Sequence, residues 1–325
     1  MDLLSTITSP IVAELVQFKE LFDKSLTGSG ILLNEALSHI RQRGGKRMRP
    51  MLVLLSAKLF GRVTDSAYHA AVALELLHTA SLVHDDVVDE SNERRGQASV
   101  NAIYNNKVSV LVGDYLLATC LKHSSHTNDH RIVETVARLG QILSEGEILQ
   151  LSNISNTLFD ENVYFDVIRK KTASLFAACA VAGAYSAGAS DVQVEKLRCL
   201  GDYIGLCFQI KDDIFDYDAG AQIGKPTGND MREGKLTLPA LYVLNHTNDT
   251  TVLGWARKVK QGTVTAEEIV SLVAYVKQHG GIEYAYAKVE EYRKKALELI
   301  EELSPEESLR AALYAYVNHV VARAN

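Results

Sequence analysis

The sequence predicts an all-α fold, read as a single domain over residues 1–325. Three observations predict it. Only five of the 325 residues are proline, the residue that breaks helix interiors. Apolar residues recur at helical spacing along most of the chain. Runs that alternate apolar and polar residues, as half-buried strands do, are hard to find. An apolar content of 47% supplies a core at this length. No Pro/Ser-rich linker and no long-period repeat interrupts the chain, so one domain of about ten helices or more is expected.

The elements follow in order. Residues 50–60 read as a helix with Pro50 in the first turn, where a missing N–H costs nothing. Residues 66–89 continue with Ala, Leu and Val at helical spacing. Further helices are predicted over 108–123, 132–151, 163–187 and 192–217. Residues 173–189 are Ala- and Gly-rich, too short to span a membrane, and read as a tightly packed core helix. A helix over 237–245 has Pro239 in its first turn. Segments 265–278, 282–303 and 305–324 complete the set, with Thr265 and Glu268 spaced as a capping box. The Gly-containing polar stretches 44–50, 91–97 and 219–235 are predicted loops, where function concentrates. His123, His126 and His130 read as part of a polar surface loop.

Composition excludes some classes. A net charge of −6 and a pI near 5.9 argue against a nucleic-acid partner. The four cysteines, Cys120, Cys179, Cys199 and Cys207, form no CxxC pair and read as reduced core thiols of a cytoplasmic protein. No signal peptide is recognisable at residues 1–10.

The chemistry begins with aspartates. Asp85, Asp86 and Asp89 end one apolar helix, and Asp212, Asp213 and Asp216 end another. Residues four apart on a helix share a face, so Asp85 and Asp89 point together, as do Asp212 and Asp216. Like charges at that spacing repel, and carboxylates at a helix C-terminus oppose the macrodipole. A single such cluster is as readily a solvated acidic end. Two, each after a strongly apolar helix, point to hard divalent cations, and Mg²⁺ completes its shell with water and phosphate. Basic groups lie beside both: Lys46, Arg47 and Arg49 in a Gly-rich loop, Arg94 and Arg95 beyond the first cluster, Lys170 and Lys171, then Lys225 and Lys235 beyond the second. Each alone is a solvated face; together they suit diphosphate oxygens.

From Gly44 to Tyr242 the chain resembles the trans-isoprenyl diphosphate synthases, and among them the bacterial long-chain octaprenyl, heptaprenyl and solanesyl type. The resemblance rests on Leu77-His78-Thr79-Ala80-Ser81-Leu82-Val83-His84-Asp85-Asp86-Val87-Val88-Asp89, followed by Arg94-Arg95-Gly96. It rests equally on Asp212-Asp213-Ile214-Phe215-Asp216 with Gly224-Lys225-Pro226-Thr227-Gly228. It implies a helical bundle of the isoprenoid synthase type around a central catalytic cavity, assembled as a homodimer. It implies Mg²⁺, three ions with substrate bound, on Asp85, Asp89, Asp212, Asp213 and Asp216. It places Asp85, Asp86, Asp89, Arg94, Lys171, Asp212 and Lys225 in the catalytic machinery. Arg94, Lys171, Thr172, Gln209, Lys225 and Lys235 are expected on the allylic diphosphate, of farnesyl or geranyl type. Lys46, Arg49, His78 and Arg95 are expected on isopentenyl diphosphate.

The implied reaction ionises the allylic C–O bond, with the developing diphosphate charge stabilised electrostatically. The double bond of isopentenyl diphosphate attacks the cation, and the released diphosphate takes the proton. Ser81 and Ala80 lie one turn before Asp85, and Leu77 one turn further. Small residues there leave a product tunnel open, so a long-chain product for quinone side chains is expected. A greasy product allows peripheral membrane contact. A class I terpene cyclase would carry Asn, Ser or Thr, and Glu in its second metal motif. A metal phosphohydrolase would need more histidine ligands, and a non-catalytic partner subunit would have lost these aspartates.

Overall fold

A computed structural model of the protein describes residues 3–42, 45, 47–94, 96–154, 159–217, 227–303 and 306–322. The described chain is all-α apart from one two-stranded hairpin. It divides into two compact units, each assembled from three stretches. The first comprises 1–140, 175–199 and 303–315, the second 141–174, 200–302 and 316–325.

In the first unit, helix Asp65–Val88 packs along helix Asn106–His126. Its Ala67, Ala70, Ala71, Leu74, Leu77 and Ala80 are all buried. Each large aliphatic side chain buried this way contributes about 1.5–3 kcal/mol. Helix Met48–Lys58 is buried from Pro50 through Ala57, as a helix apolar on all sides must be. Gly183, in helix Ser174–Ser186, makes its packing possible: a Cβ there would lie 2.3 Å from the carbonyl oxygen of Val53.

The predicted loop 91–97 holds the hairpin, in which Glu93 pairs with Ala98 and Arg94 with Gln97. Two-residue strands are too short to show a period-two pattern. Gly96, at φ +74°, supplies the left-handed residue that the tight turn needs. The histidines also differ from expectation. His123 and His126 belong to the last turns of helix Asn106–His126, and His130 opens helix His130–Ile154. His123 is buried, with Nε2 2.7 Å from the Ser25 hydroxyl and Nδ1 2.8 Å from Nδ1 of His69. The Ser25 hydroxyl donates to the Leu21 carbonyl at 2.7 Å, so His123 Nε2–H donates to Ser25 and His123 Nδ1 accepts from His69. A polar segment thus became helix because a partner helix supplied hydrogen bonds. Cys120, Cys179 and Cys207 are buried free thiols; Cys199 is half-buried beside Glu195 and Arg198.

In the second unit, helix Ala266–Gln278 starts at the predicted capping box: the Thr265 side chain accepts from the Glu268 N–H, and the Glu268 carboxylate accepts from the Thr265 N–H at 3.0 Å. Helix Leu238–His246 carries its proline in the first turn, as read. The expected helix over 163–187 is divided into Glu161–Ile168, a π turn at Arg169–Ala173, and Ser174–Ser186. Helix Thr250–Gln261, absent from the sequence reading, has both its signals in place. Asp249 caps the N–H groups of Thr251 and Val252, and Gly262 closes the end at φ +67°. The N-terminal helices Leu3–Thr8, Val12–Ser25 and Ile31–Gln42 were likewise not expected.

Candidate active site

The first aspartate motif ends helix Asp65–Val88. The N–H of Asp89 still bonds the Asp85 carbonyl at 2.8 Å, so the two side chains stand one turn apart on one face. Asp85 is half-buried and Asp89 exposed. Asp89 has no side-chain hydrogen bond or ion pair among the described residues. Asp86, between them, is fully buried, and its Oδ1 accepts from Arg94 Nε at 2.6 Å. The hairpin delivers that arginine. The Asp86 carbonyl accepts from the Ser91 N–H at 2.9 Å and from Asn101 Nδ2 at 3.2 Å, which satisfies a carbonyl that the helix end would orphan. Gly113 makes room for the preceding His84; a Cβ there would lie 2.1 Å from its Nε2. The Arg49 guanidinium lies 5.2 Å over the Phe176 ring. His78 is half-buried in the middle of helix Asp65–Val88. Lys46 and Arg95 lie outside the described residues.

The second motif ends helix Asp191–Phe215. Asp212 is half-buried. Asp213 is buried, and both its oxygens are taken, by the Tyr164 hydroxyl at 2.6 Å and Gln209 Nε2 at 2.8 Å. Burial first, and then the nearby Asp230, hold the Asp213 carboxyl well above the ordinary carboxylate range. Asp216 accepts the N–H groups of Asn229 at 2.8 Å and Asp230 at 3.1 Å. It thereby caps the short helix Asn229–Arg232, which starts after Gly228 at φ +74°. Burial, and then Asp216, push Asp230 up to about 7. Lys225 lies outside the described residues.

Asp213 and Asp230 line a cavity of about 230 Å³, which Asp212 and Asp216 do not. Lys171, Thr172, Gln209, Asp213 and Lys235, all singled out in the sequence, line it. So do Tyr164, Asp230 and Lys260, which the sequence reading did not single out. Lys171 reaches Glu147 and, at 3.1 Å, Gln150. Thr172 donates to Gln209 Oε1 at 2.7 Å, so Gln209 bridges Thr172 and Asp213. Lys235 pairs with Glu233 at 2.7 Å.

The π turn presents Lys171 and Thr172. Such a turn inserts one residue into a helix and re-aims the side chains that follow, and it recurs at functional sites. Two glycines cradle it. A Cβ on Gly146 would lie 2.8 Å from the Lys170 Cβ, and one on Gly205 would lie 2.4 Å from the Ala173 Cα. Neighbouring helices therefore approach the widened backbone closely, and only glycine permits it.

No group of three or more His, Cys, Asp or Glu side chains among the described residues is gathered tightly enough to hold a metal alone. The donor set still fits Mg²⁺. Asp85 and Asp89 offer hard oxygens from one face, against a helix end that disfavours their charge. Mg²⁺ is ordinarily held by one or two carboxylates, with waters and substrate phosphate completing the octahedron.

Comparison with known proteins bears on this arrangement. Residues 31–276 match the family described as Polyprenyl synthetase. Octaprenyl diphosphate synthase of Haemophilus influenzae is 38% identical, over 87% of this chain and 85% of its own. The crystal structure of geranylgeranyl pyrophosphate synthase from Bacteroides thetaiotaomicron superposes with a TM-score of 0.88 at 56% identity, covering 99% of this chain and 100% of that one. Polyprenyl synthase from Caulobacter crescentus, crystallised with calcium and isoprenyl diphosphate, gives 0.91 at 32% identity, over 98% of each chain. With likeness of sequence and fold over nearly its whole length, the chain belongs to the polyprenyl synthetase family and is a prenyltransferase of the trans-polyprenyl diphosphate synthase type.

Proposed function

We propose that this protein carries out Mg²⁺-dependent, head-to-tail condensation of isopentenyl diphosphate onto a farnesyl- or geranyl-type allylic diphosphate. The observation that carries the metal assignment is the pair Asp85 and Asp89. They stand one turn apart at a helix C-terminus, with the intervening Asp86 already paired to Arg94. Asp85 and Asp89 would hold metal at the first motif and Asp212 at the second, with Asp213 and Asp216 supporting that cluster from their bonds to Tyr164 and Gln209 and to the N–H groups of Asn229 and Asp230. Three ions are proposed to bind with substrate. When bound, Mg²⁺ neutralises charge that develops on the departing diphosphate.

The chain's own residues then have separable tasks. Lys171 and Lys235 hold the allylic diphosphate by charge-assisted hydrogen bonds, and Thr172 joins them by turning its single O–H from Gln209 Oε1, to which it donates at 2.7 Å, towards a diphosphate oxygen. Lys225 joins them. Arg94, held in the hairpin by its bond to Asp86, is assigned an allylic diphosphate role by the family resemblance. Lys46, Arg49, His78 and Arg95 hold isopentenyl diphosphate. No side chain is assigned as proton acceptor; the released diphosphate takes the proton.

The product is proposed to be long. Ala80 is buried and Ser81 half-buried one turn before Asp85, with buried Leu77 a turn earlier, so small side chains stand where a growing chain would pass. A shorter, geranylgeranyl product is the second reading, favoured by the 56% identity to a synthase of that name. The protein is further proposed to be one functional domain, cytoplasmic and homodimeric, with peripheral membrane contact through its product. The exposed apolar side chains Val110, Leu111 and Leu121 on helix Asn106–His126 support an interface between copies. Three buried, unpaired thiols support a reducing compartment. Among the described residues no helix is long and apolar enough to cross a membrane.

A product assay tests this. Purified protein with Mg²⁺, farnesyl diphosphate and labelled isopentenyl diphosphate should give a ladder ending at heptaprenyl or longer. A stop at geranylgeranyl keeps the chemistry and places the tunnel floor near Leu77. No elongation by folded protein with metal present overturns the proposal.

A further inference from the structure

The cavity that Lys171 and Lys235 line carries a third lysine whose circumstances differ. Lys260 sits in the last turn of helix Thr250–Gln261 and is 7% exposed. Its ammonium donates to the Asn153 carbonyl at 2.9 Å. Lys171 has Glu147 and Lys235 has Glu233, but no carboxylate among the described residues pairs with Lys260. An ammonium carries three N–H donors, so two remain without an acceptor among the described residues. Burying a cation without counter-charge is costly, and burial holds this ammonium below the ordinary lysine range. The rest of the wall sets two further cations, Lys171 and Lys235, beside the carboxyls of Asp213 and Asp230 and the apolar Val167, Ile168 and Leu236.

We propose that Lys260 is a further cationic contact for a diphosphate group bound in this cavity. The proposal rests on the diphosphate site at Lys171, Thr172 and Lys235. The anion restores the missing counter-charge, and the two N–H groups not used on Asn153 donate to its oxygens. The group recognised belongs either to the allylic substrate or to the inorganic diphosphate left after each condensation.

Lys260 also has a plain structural task. Asn153 lies in the last turn of helix His130–Ile154, where carbonyls lack helical partners and welcome a cation. Lys260→Gln separates the two tasks. The amide can still donate to Asn153 but carries no charge. Inorganic diphosphate with Mg²⁺ is titrated calorimetrically into the full-length protein and into Lys260→Gln and Lys260→Arg. Apparent KM values for farnesyl diphosphate and isopentenyl diphosphate are measured alongside thermal midpoints. Losing one charge-assisted contact should weaken diphosphate binding by about tenfold in Lys260→Gln, with Lys260→Arg recovering most of it. The thermal midpoint and the KM for isopentenyl diphosphate should stay near wild type. A parallel rise in the KM for farnesyl diphosphate identifies the allylic substrate as the source. A loss confined to inorganic diphosphate, with weaker product inhibition, identifies the released group. Wild-type diphosphate affinity and KM values in Lys260→Gln overturn the proposal and leave Lys260 as a helix cap. A wild-type protein that neither binds diphosphate nor elongates overturns the functional reading instead.

Discussion

The two aspartate motifs are nearly identical in sequence and differ in surroundings. Asp85-Asp86-Val87-Val88-Asp89 and Asp212-Asp213-Ile214-Phe215-Asp216 share spacing and helix-end position. In both, the middle aspartate is buried. Asp86 meets a cation, Arg94; Asp213 meets two neutral donors, Tyr164 and Gln209, and burial raises its pKa. The last aspartates diverge further. Asp89 stands exposed, without a partner among the described residues, whereas Asp216 is engaged by two backbone N–H groups. The first motif leaves its outer carboxylate exposed, and the second uses its outer carboxylate to hold the following segment in place.

The largest test of that contrast is catalytic. Asp89→Asn should lower kcat by about 10³-fold, in the range seen when one preorganised electrostatic contact is lost, with an unchanged urea midpoint. Asp216→Asn should lower activity and also cost about 1 kcal/mol of stability, since two N–H groups lose a charged acceptor. Equal destabilisation by both substitutions would erase the difference between the outer aspartates.

The middle aspartates come next. Asp86→Asn leaves Arg94 without its charge partner and should cost about 3 kcal/mol in urea unfolding. Asp213→Asn keeps a neutral group where burial already disfavours charge, and should cost about 1 kcal/mol. A larger loss at Asp213 than at Asp86 would show that the Tyr164 and Gln209 contacts require the anion.

Glycines near each motif sharpen the comparison. The Cβ of Gly205→Ala would strike backbone, the Ala173 Cα at 2.4 Å, while that of Gly113→Ala would strike only the movable His84 ring. Gly205→Ala should cost about 2–3 kcal/mol and raise the KM for farnesyl diphosphate by displacing the π turn; Gly113→Ala should cost about 1 kcal/mol. Unfolding curves and initial rates of the two variants decide this.

A further effect concerns pH. Burial first, then the neighbouring His69 and His126, lower the His123 pKa from 6.5 to about 4. The unfolded chain therefore binds a proton that the folded chain refuses. Stability is complete above about pH 6.5, falls as pH drops towards about 4, and then levels. With partial solvent screening the loss should be about 1–2 kcal/mol. His123→Gln should flatten the urea midpoint over that window. An unchanged slope would assign the acid lability elsewhere.

Helix identity and both acidic clusters were legible in the sequence because they depend on local spacing. Periodicity marked helix Asp65–Val88, the Thr265–Glu268 pair marked a helix start, and aspartates four apart marked a shared face. The Asp249 and Gly262 signals around helix Thr250–Gln261 were equally local and were passed over. The π turn was not legible: nothing in Arg169–Ala173 encodes an extra residue per turn, and it exists because Gly146 and Gly205 let neighbouring helices close on it. His123 looked like surface until Ser25 and His69 were found against it. Lys260, 89 residues beyond Lys171 in the chain, shares a cavity wall with it through folding alone. The sequence by itself determined where carboxylates and cations stand along each helix, since that needs only a repeat of about 3.6 residues per turn. Tertiary structure alone decided which of them are engaged and which stay open. Burial and hydrogen-bond partners set that, and residues distant in the chain supply both.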